Sequence, residues 1–268
     1  MISWNVAGRV KALDAQAERV LALDADLVCL QETTRTTLPV WTELLERAGY
    51  RVHAGPDDAH TRARPLSVLS ASRSAMRRVK VAHVPWPERV LATRDDATGI
   101  ELVNVHSPIS ARPDQVKLRT HLAVYAHLAS DRPGPRILCG DLNTPRRELP
   151  NGTVWTFARD RYGRLREDRG ESWDLAEQAL LRGLEPFGFL DAFRTLHGYA
   201  QPEISWGWPR WSGGYRLDHL LVRDVRVDAC HYQHAWRIDG LSDHSPLVAS
   251  LGLDAAKRTP RDTTRTPG

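Results

Sequence analysis

Short apolar runs alternate with stretches whose apolar residues recur at helical spacing, and this alternation restricts the folds open to the chain. Leu13, Ala17 and Val20 share one helical face, and an uninterrupted apolar run over residues 27–30 follows them. A period near 3.6 residues indicates an amphipathic helix, and a short apolar run bounded by turn residues indicates a buried strand. Because the two patterns take turns along the chain, we predict an α/β fold.

The same patterns predict the individual elements. Helices are expected over residues 13–24, 41–48, 118–129 and 173–182. Strands are expected at the N-terminus and over residues 26–30, 66–70, 79–84, 89–93, 100–105, 136–140, 217–222 and 247–251. The turn over residues 96–99 joins two of these strands into a hairpin. Residues 144–170 show no clear period, and a loop of that length usually has a function or is disordered.

The chain shows no internal repeat and no linker that would divide it. We therefore expect one domain over residues 1–252, followed by a disordered polar tail over residues 253–268. The odd cysteine count of three implies no disulfide framework and favours the cytoplasm. We expect no signal peptide, no membrane span and no obligate protein partner, and hence a monomer. The formal charge of +4 permits a polyanionic partner without demanding one.

Polar residues able to carry chemistry form six short motifs, and five of these lie where an apolar run starts or stops. The motifs are Ser3-Trp4-Asn5, Gln31-Glu32-Thr33, Asn104-Val105-His106, Gly140-Asp141-Leu142-Asn143, Arg216-Leu217-Asp218-His219 and Ser242-Asp243-His244-Ser245-Pro246. Carboxylates and amides bind hard cations such as Mg²⁺, which in turn binds phosphate. The set therefore favours metal-dependent hydrolysis of phosphate esters.

Two of these motifs have a local reason to form a site. In extended or turn geometry Asp141 and Asn143 project the same way, although an Asp-x-Asn turn can also merely satisfy its own backbone. Asp218 lies in an apolar run, where an ionised carboxylate is costly unless it is paired. We expect His244 to be its partner, because Asp218 would stabilise the imidazolium form. Glu32 ends a buried strand, where it is either solvated or holds a cation.

Together, in this order, the motifs resemble the endonuclease/exonuclease/phosphatase superfamily, which includes exonuclease III-like and pancreatic-type nucleases. The resemblance covers most of residues 2–251. It implies a four-layer α/β/β/α sandwich of two mixed β-sheets flanked by helices, with the site at one end. It also implies a Mg²⁺ or Mn²⁺ ion held mainly by Glu32, with Asn5 beside it and Asp243 joining the metal shell.

The resemblance further implies the catalytic roles. Asp141 would deprotonate the attacking water, and Asn143 would hold a phosphate oxygen. His244, paired with Asp218, would stabilise the charge on the pentacovalent phosphate. His106 would donate to the phosphate or assist the leaving group.

Two regions bear on the substrate. Residues 146–170 carry seven arginines against four acids, with aromatic residues between them, which suits a nucleic-acid strand but also a solvated loop. The expected substrate contacts here are Arg146 and Trp155, with Arg62 and Arg64 from an earlier segment. Trp206, Tyr215 and Leu217 resemble the residues that line the abasic pocket of DNA-repair members, although packing at the domain rim would explain them equally well.

Three hypotheses remain open at this point. The leading one is a Mg²⁺-dependent phosphodiesterase acting on DNA as an endonuclease or exonuclease. The second is a phosphatase for a small-molecule or lipid phosphate ester, served by the same catalytic groups. The third is a catalytically inactive nucleic-acid-binding relative.

Overall fold

Two six-stranded sheets face each other in the computed structural model, which describes residues 1–56, 66–109, 115–208 and 213–253. The strands are β1 (Ile2–Asn5), β2 (Leu27–Thr33), β3 (Arg51–Ala54), β4 (Ser67–Ser72), β5 (Met76–Val79), β6 (Val90–Asp95), β7 (Glu101–His106), β8 (Arg136–Asp141), β9 (Arg147–Glu148), β10 (Val154–Trp155), β11 (Leu190–Asp191), β12 (Trp206–Gly207), β13 (Gly214–Tyr215), β14 (Asp218–Arg223), β15 (Arg226–Tyr232) and β16 (Leu247–Gly252). The helices are α1 (Leu13–Ala22), α2 (Thr37–Arg47), α3 (Val116–Leu128), α4 (Gly170–Leu181), α5 (Ala192–His197) and α6 (His234–Ile238).

Strand order brings the polar motifs to one end of the sandwich. The first sheet runs β15-β16-β1-β2-β4-β3 and the second runs β11-β14-β8-β7-β6-β5. β1 and β2 are parallel, and so are β7 and β8, so each pair ends at a common edge. Within the second sheet His106 is level with Asp141, and Asp218 at the start of the antiparallel β14 is level with Asp141 too. Three of the expected site residues thus meet on adjacent strands.

Three apolar clusters confirm the four-layer arrangement. One lies between the sheets and combines residues such as Cys29, Ile137 and Leu247. A second packs α1 and α2 on the outer face of the first sheet, and a third packs α3 and α4 on the outer face of the second. The buried residues of α1 and α2 follow the apolar faces that their sequence period predicted, whereas Leu122 on α3 and Leu175 on α4 are exposed.

A polar contact crosses the interior between the sheets. Gln31 Nε2 donates to Asn104 Oδ1 at 2.8 Å, and Asn104 Nδ2 donates to the backbone carbonyls of Leu30 and Leu69. Asn104 is fully buried, so its amide must be hydrogen-bonded to be tolerated there. The motif that contains Asn104 thus combines a residue that bridges the sheets with a residue of the site, His106.

The element predictions were largely confirmed, with one predicted strand misplaced and some short elements missed. The hairpin of β6 and β7 is present, and residues 144–170 contain only the two-residue strands β9 and β10 before α4. The strand expected over residues 79–84 was wrong, because β5 ends at Val79 and Val81 and Val84 pack against the outer cluster without a ladder. The edge strands β3 and β15, and the short helix α6, were missed because charged and small residues interrupt their apolar patterns.

Two further expectations concern the C-terminal tail and a membrane span. The tail beyond residue 253 lies outside the described residues. Among the residues described, no helix combines the length and the apolar character that crossing a bilayer requires.

Candidate active site

A tight turn at the end of β8 directs Asp141 and Asn143 to the same point. Gly140 has φ +124°, and a Cβ there would collide with the carbonyl oxygen of Val105, so only glycine fits. Asp141 Oδ1 accepts the backbone N–H of Asn143 at 2.8 Å, and Asn143 Nδ2 lies 3.3 Å from Asp141 Oδ2. Asn143 adopts φ +50°, an uncommon conformation that turns its amide back towards the carboxylate. The two side chains therefore converge, as their spacing predicted.

Glu32 reaches the same place from the other sheet. Its φ of +59° coincides with an irregularity in the pairing of β2 with β4, which aims the carboxylate at the end of the sandwich. Asn5 Nδ2 donates to Glu32 Oε1 at 3.1 Å and to Asp141 Oδ2 at 3.0 Å, so one amide links the two carboxylates. His106 Nε2 lies 3.3 Å from Glu32 Oε1 and 3.9 Å from Asp141 Oδ2.

His244 approaches Asp141 from the turn before β16. Its Nδ1 lies 2.8 Å from Asp218 Oδ2, the contact that the sequence predicted, and its Nε2 lies 3.8 Å from Asp141 Oδ2. The turn is fixed to β1, because Trp4 Nε1 donates to the His244 carbonyl and Ser242 Oγ donates to the Asn5 carbonyl. Asp218 thus orients the imidazole of His244, whose Nε2 faces the site.

The charged groups in this cluster shift one another's pKa values. Burial alone would raise the pKa of Glu32, but the hydrogen bond and charge of His106 hold that pKa at about 2. Burial raises the pKa of Asp141, a shift that His244 opposes and Asp218 reinforces. Burial alone would lower the pKa of His244, yet the charges of Asp218 and Asp141 raise it to about 10. At neutral pH Glu32 is an anion and His244 a cation.

The donor atoms present fit a divalent cation. Two overlapping groups, Glu32 with His106 and Asp141, and Asp141 with Asp218 and His244, each bring their potential ligand atoms within 4.8 Å of one another. The Glu32 side chain is 19% exposed whereas those of Asp141 and His106 are 2% and 1% exposed, so solvent reaches the cluster beside Glu32. Carboxylate oxygens with a route to water are what Mg²⁺ or Mn²⁺ requires.

Asp243 is placed differently from Glu32 and Asn5, the other residues expected at the metal. It belongs to neither ligand group found among the described residues. Its Oδ2 accepts the indole N–H of Trp206 at 3.0 Å, while its buried Oδ1 has no hydrogen-bond partner in the described part of the chain. Its charge contributes to the raised pKa of His244. Asp243 therefore lies at the edge of the site, with one oxygen available.

An aromatic cluster adjoins Asp243. The rings of Trp206 and Tyr215 are stacked with centroids 6.0 Å apart, and Trp208 meets each of them edge-on at 5.1 Å. Phe157, from the arginine-rich stretch, packs edge-on against Tyr215 at 5.0 Å. Leu217 is buried, and its backbone N–H donates to the Ser205 hydroxyl. The two substrate-binding regions predicted from the sequence thus meet through aromatic contact.

The seven arginines of residues 146–169 differ in their contacts. Three are paired with acids, Arg159 with Asp174, and Arg166 and Arg169 with Asp168. Arg147 instead lies over the ring of Trp155 at 5.6 Å, and Arg161 and Arg164 lie over the ring of Tyr162 at 4.7 and 5.6 Å. Arg146 is half-buried and follows the tight turn at the end of β8. Arg62 and Arg64, the other expected substrate contacts, lie outside the described residues.

Sequence reasoning missed a buried charge network behind the site. Arg216 binds both carboxylate oxygens of Glu148 at 2.8 Å and also reaches Asp191 at 2.6 Å, while Arg194 Nη2 lies 2.6 Å from Glu148. Arg216 lies two residues before Asp218, so in an extended chain both side chains project to the same side. This spacing could have identified Arg216 as a second buried charge. Burial alone would raise the pKa of Glu148, but Arg216 holds it at about 2. The network anchors β9, and with it the arginine-rich stretch, to β14.

We expect Glu148→Gln to lower the free energy of unfolding by roughly 3–5 kcal/mol, because it leaves two buried guanidinium groups short of a countercharge. Urea unfolding of the variant measures this. Asp228→Asn is the control, since Asp228 forms an exposed pair with Arg226 and should leave the unfolding midpoint unchanged. Equal midpoints for both variants would contradict an anchoring role for Glu148.

The chain is similar in sequence and in fold to known nucleases. The chain matches the Endonuclease/Exonuclease/phosphatase family over residues 2–244. It is 24% identical to the exodeoxyribonuclease of Bacillus subtilis, over 94% of this chain and 99% of that protein. Among solved structures it is similar to an AP endonuclease from Archaeoglobus fulgidus, with a TM-score of 0.71, 21% identity and coverage of 94% and 98% of the two chains. It is also similar to a 3'-5' exonuclease from Neisseria meningitidis, with a TM-score of 0.66, 20% identity and coverage of 93% and 98%.

Proposed function

The chain belongs to the endonuclease/exonuclease/phosphatase family, and on that premise we propose that it is a divalent-metal-dependent phosphodiesterase that cleaves DNA. One observation carries the proposal. Glu32 from the first sheet and Asp141 from the second both accept a hydrogen bond from the Asn5 amide. His244, from the turn before β16, brings its Nε2 to 3.8 Å from Asp141 Oδ2. A metal ligand, a base and a cation placed together are what hydrolysis of a phosphodiester requires.

The metal would be Mg²⁺ or Mn²⁺, held by Glu32 with Asp141 next to it. When bound, it neutralises the negative charge that develops on the phosphate. Asn5 would keep the two carboxylates apart at a fixed distance, since its amide already donates to both. Asp243 would join the site through the oxygen that Trp206 leaves open.

The catalytic steps would be shared among the remaining residues. Asp141 would take the proton of the attacking water, a task favoured by a pKa that burial raises. Asn143 would bind a phosphate oxygen through its amide. His244 would donate from Nε2 to the phosphate, because Asp218 holds Nδ1 and keeps the ring charged. His106 would donate to the phosphate beside Glu32.

DNA is the proposed substrate because the rim offers contacts for bases as well as phosphates. Trp206 and Tyr215 present aromatic rings next to the site. Arg146, Arg147 and Trp155 follow residues 140–143, which we call the catalytic turn. Such rings suit unstacked bases or an abasic sugar, and guanidinium groups suit the backbone. The exodeoxyribonuclease of Bacillus subtilis supports the same assignment. We further propose that the enzyme works as a monomer in the cytoplasm, where its three buried thiols stay reduced.

A substrate panel tests the proposal. Purified protein is offered plasmid DNA, a duplex with an abasic site, single-stranded DNA and a set of phosphomonoesters, each with Mg²⁺, Mn²⁺ or EDTA. We expect cleavage of DNA with either metal and none with EDTA. Turnover of phosphomonoesters alone would contradict the proposal in favour of a phosphatase. DNA binding without any metal-dependent turnover would indicate an inactive relative.

Glu32→Gln should weaken the binding of Mn²⁺. Loss of an outer-shell partner of a metal ligand typically costs about 10- to 100-fold in affinity, and we expect loss of a ligand to cost at least as much. Isothermal titration of Mn²⁺ into the variant and the wild type measures the difference. Glu43→Gln, which alters an exposed glutamate on α2, serves as the control. An unchanged dissociation constant for Glu32→Gln would remove Glu32 from the metal site.

A further inference from the structure

A buried ion pair lies directly behind the catalytic turn. Lys117 on α3 and Glu177 on α4 have side chains that are 3% and 0% exposed, and Nζ lies 2.6 Å from Oε1. Neither residue belongs to a motif that the sequence singled out. Burying two charges is costly, and apolar residues of similar volume often stabilise a core as well or better. The pair therefore requires an explanation beyond packing α3 against α4.

Lys117 holds the backbone of Asn143. Its Nζ donates to the Asn143 carbonyl oxygen at 2.7 Å. Asn143 has a positive φ, a conformation that persists only where its surroundings enforce it. The Asn143 side chain in turn donates to the Ser107 carbonyl at 2.7 Å and lies 3.3 Å from Asp141. The ammonium group thus fixes the peptide whose side chain would bind phosphate.

Glu177 connects the same turn to the arginine-rich stretch. Its Oε2 accepts the Thr144 hydroxyl at 2.8 Å and the backbone N–H of Phe157 at 2.7 Å. Its Oε1 accepts the indole N–H of Trp173 at 2.8 Å. Phe157 also packs on Tyr215 in the aromatic cluster. One carboxylate therefore joins the catalytic turn to the region proposed to bind DNA.

We propose that Lys117 and Glu177 are positioning residues, which set the orientation of Asn143 and tie it to residues 146–169. This role rests on the proposed function. The pair touches neither substrate nor metal, and acts only through the hydrogen bonds to the Asn143 carbonyl, the Thr144 hydroxyl and the Phe157 amide.

The test separates stability from positioning. Glu177→Gln leaves the Lys117 ammonium buried without its countercharge, so this variant should be markedly less stable than the wild type. The double variant Lys117→Met/Glu177→Gln has no unpaired charge and should regain stability. It still lacks the donor to the Asn143 carbonyl, so kcat should remain roughly 10- to 100-fold below the wild type. We expect the loss to appear mainly in kcat rather than in KM, because neither side chain contacts the substrate itself.

A buried pair at the start of β7 and β8, the end of these strands away from His106 and Asp141, provides the control. Arg136 Nε lies 3.8 Å from Glu101 Oε1, with side chains 2% and 5% exposed. The variant Arg136→Met/Glu101→Gln should change stability but not kcat. Hydrogen exchange adds a readout independent of activity, since the amides of Leu142 and Asn143 should exchange faster in the Lys117→Met/Glu177→Gln variant only.

The outcomes are distinct. A kcat that recovers together with stability in the double variant, or unchanged exchange of the turn amides, would overturn the positioning role. A wild-type protein inert towards every phosphoester would contradict the proposed function instead. The exchange rates would then decide the positioning role on their own. Should Glu177→Gln fail to fold, the double variant carries the test, because it contains no uncompensated charge.

Discussion

Asp141→Asn is expected to reduce kcat for DNA cleavage by roughly 10²- to 10⁴-fold, the usual contribution of a general base. The substitution keeps the size of the side chain but removes its capacity to take a proton. It also places an amide where Asn5 and Asn143 now donate to a carboxylate oxygen, which disturbs both partners. Steady-state cleavage of a labelled oligonucleotide with saturating Mg²⁺ measures the loss.

Two controls accompany the measurement on Asp141→Asn. The unfolding midpoint of Asp141→Asn should show that the protein is folded at the assay temperature. Glu43→Gln, an exposed carboxylate removed from α2, should retain wild-type kcat. An Asp141→Asn variant that cleaves DNA at the wild-type rate would rule out Asp141 as the base.

Asp218→Asn is expected to lower the pKa of His244 from about 10 towards its ordinary value of 6.5. Burial already opposes the charged imidazole, and the charge and hydrogen bond of Asp218 are the main effects that overcome it. Near neutral pH the variant would lose much of the imidazolium, and kcat should fall roughly 10²- to 10³-fold. Titration of the His244 ring by NMR, together with the pH profile of kcat, measures both effects.

The same shift predicts how stability depends on pH. The pKa of His244 is raised on folding, so the stabilisation is fully present below about pH 6.5 and is lost as the pH rises towards 10. The free energy of unfolding should therefore decline over that interval in the wild type and decline less in Asp218→Asn. A His244 pKa that is the same in both proteins would contradict the assigned pairing.

The position of the site could be predicted from the sequence because strand ends carry its residues. Glu32, His106 and Asp141 each lie near the end of a short apolar run. Parallel pairing of β1 with β2 and of β7 with β8 then brings those ends to one edge of each sheet. The Asp218–His244 contact was predicted for a different reason, the cost of an unpaired carboxylate in an apolar strand.

Other features depend on tertiary contacts that leave no local pattern. Nothing in the local sequence distinguishes Lys117 from an exposed lysine of a helix. The packing of α3 against α4 buries it against Glu177. Glu148 lies in the two-residue strand β9, which has no pattern of its own, and its two arginine partners come from α5 and from the residues before β14. The edge strand β15 was missed because charged and small residues interrupt its apolar pattern, and its pairing with β16 shifts register between Val227 and Ala229.

The most direct test is to locate the metal itself. Crystals of the protein soaked in Mn²⁺ and measured at the manganese absorption edge give an anomalous map that depends on no assumption about substrate. We predict a peak bonded to a Glu32 carboxylate oxygen and lying beside Asp141, which disappears in Glu32→Gln crystals. A peak bound elsewhere, or one unaffected by that substitution, would contradict the claim that these two carboxylates form the metal site of a hydrolase.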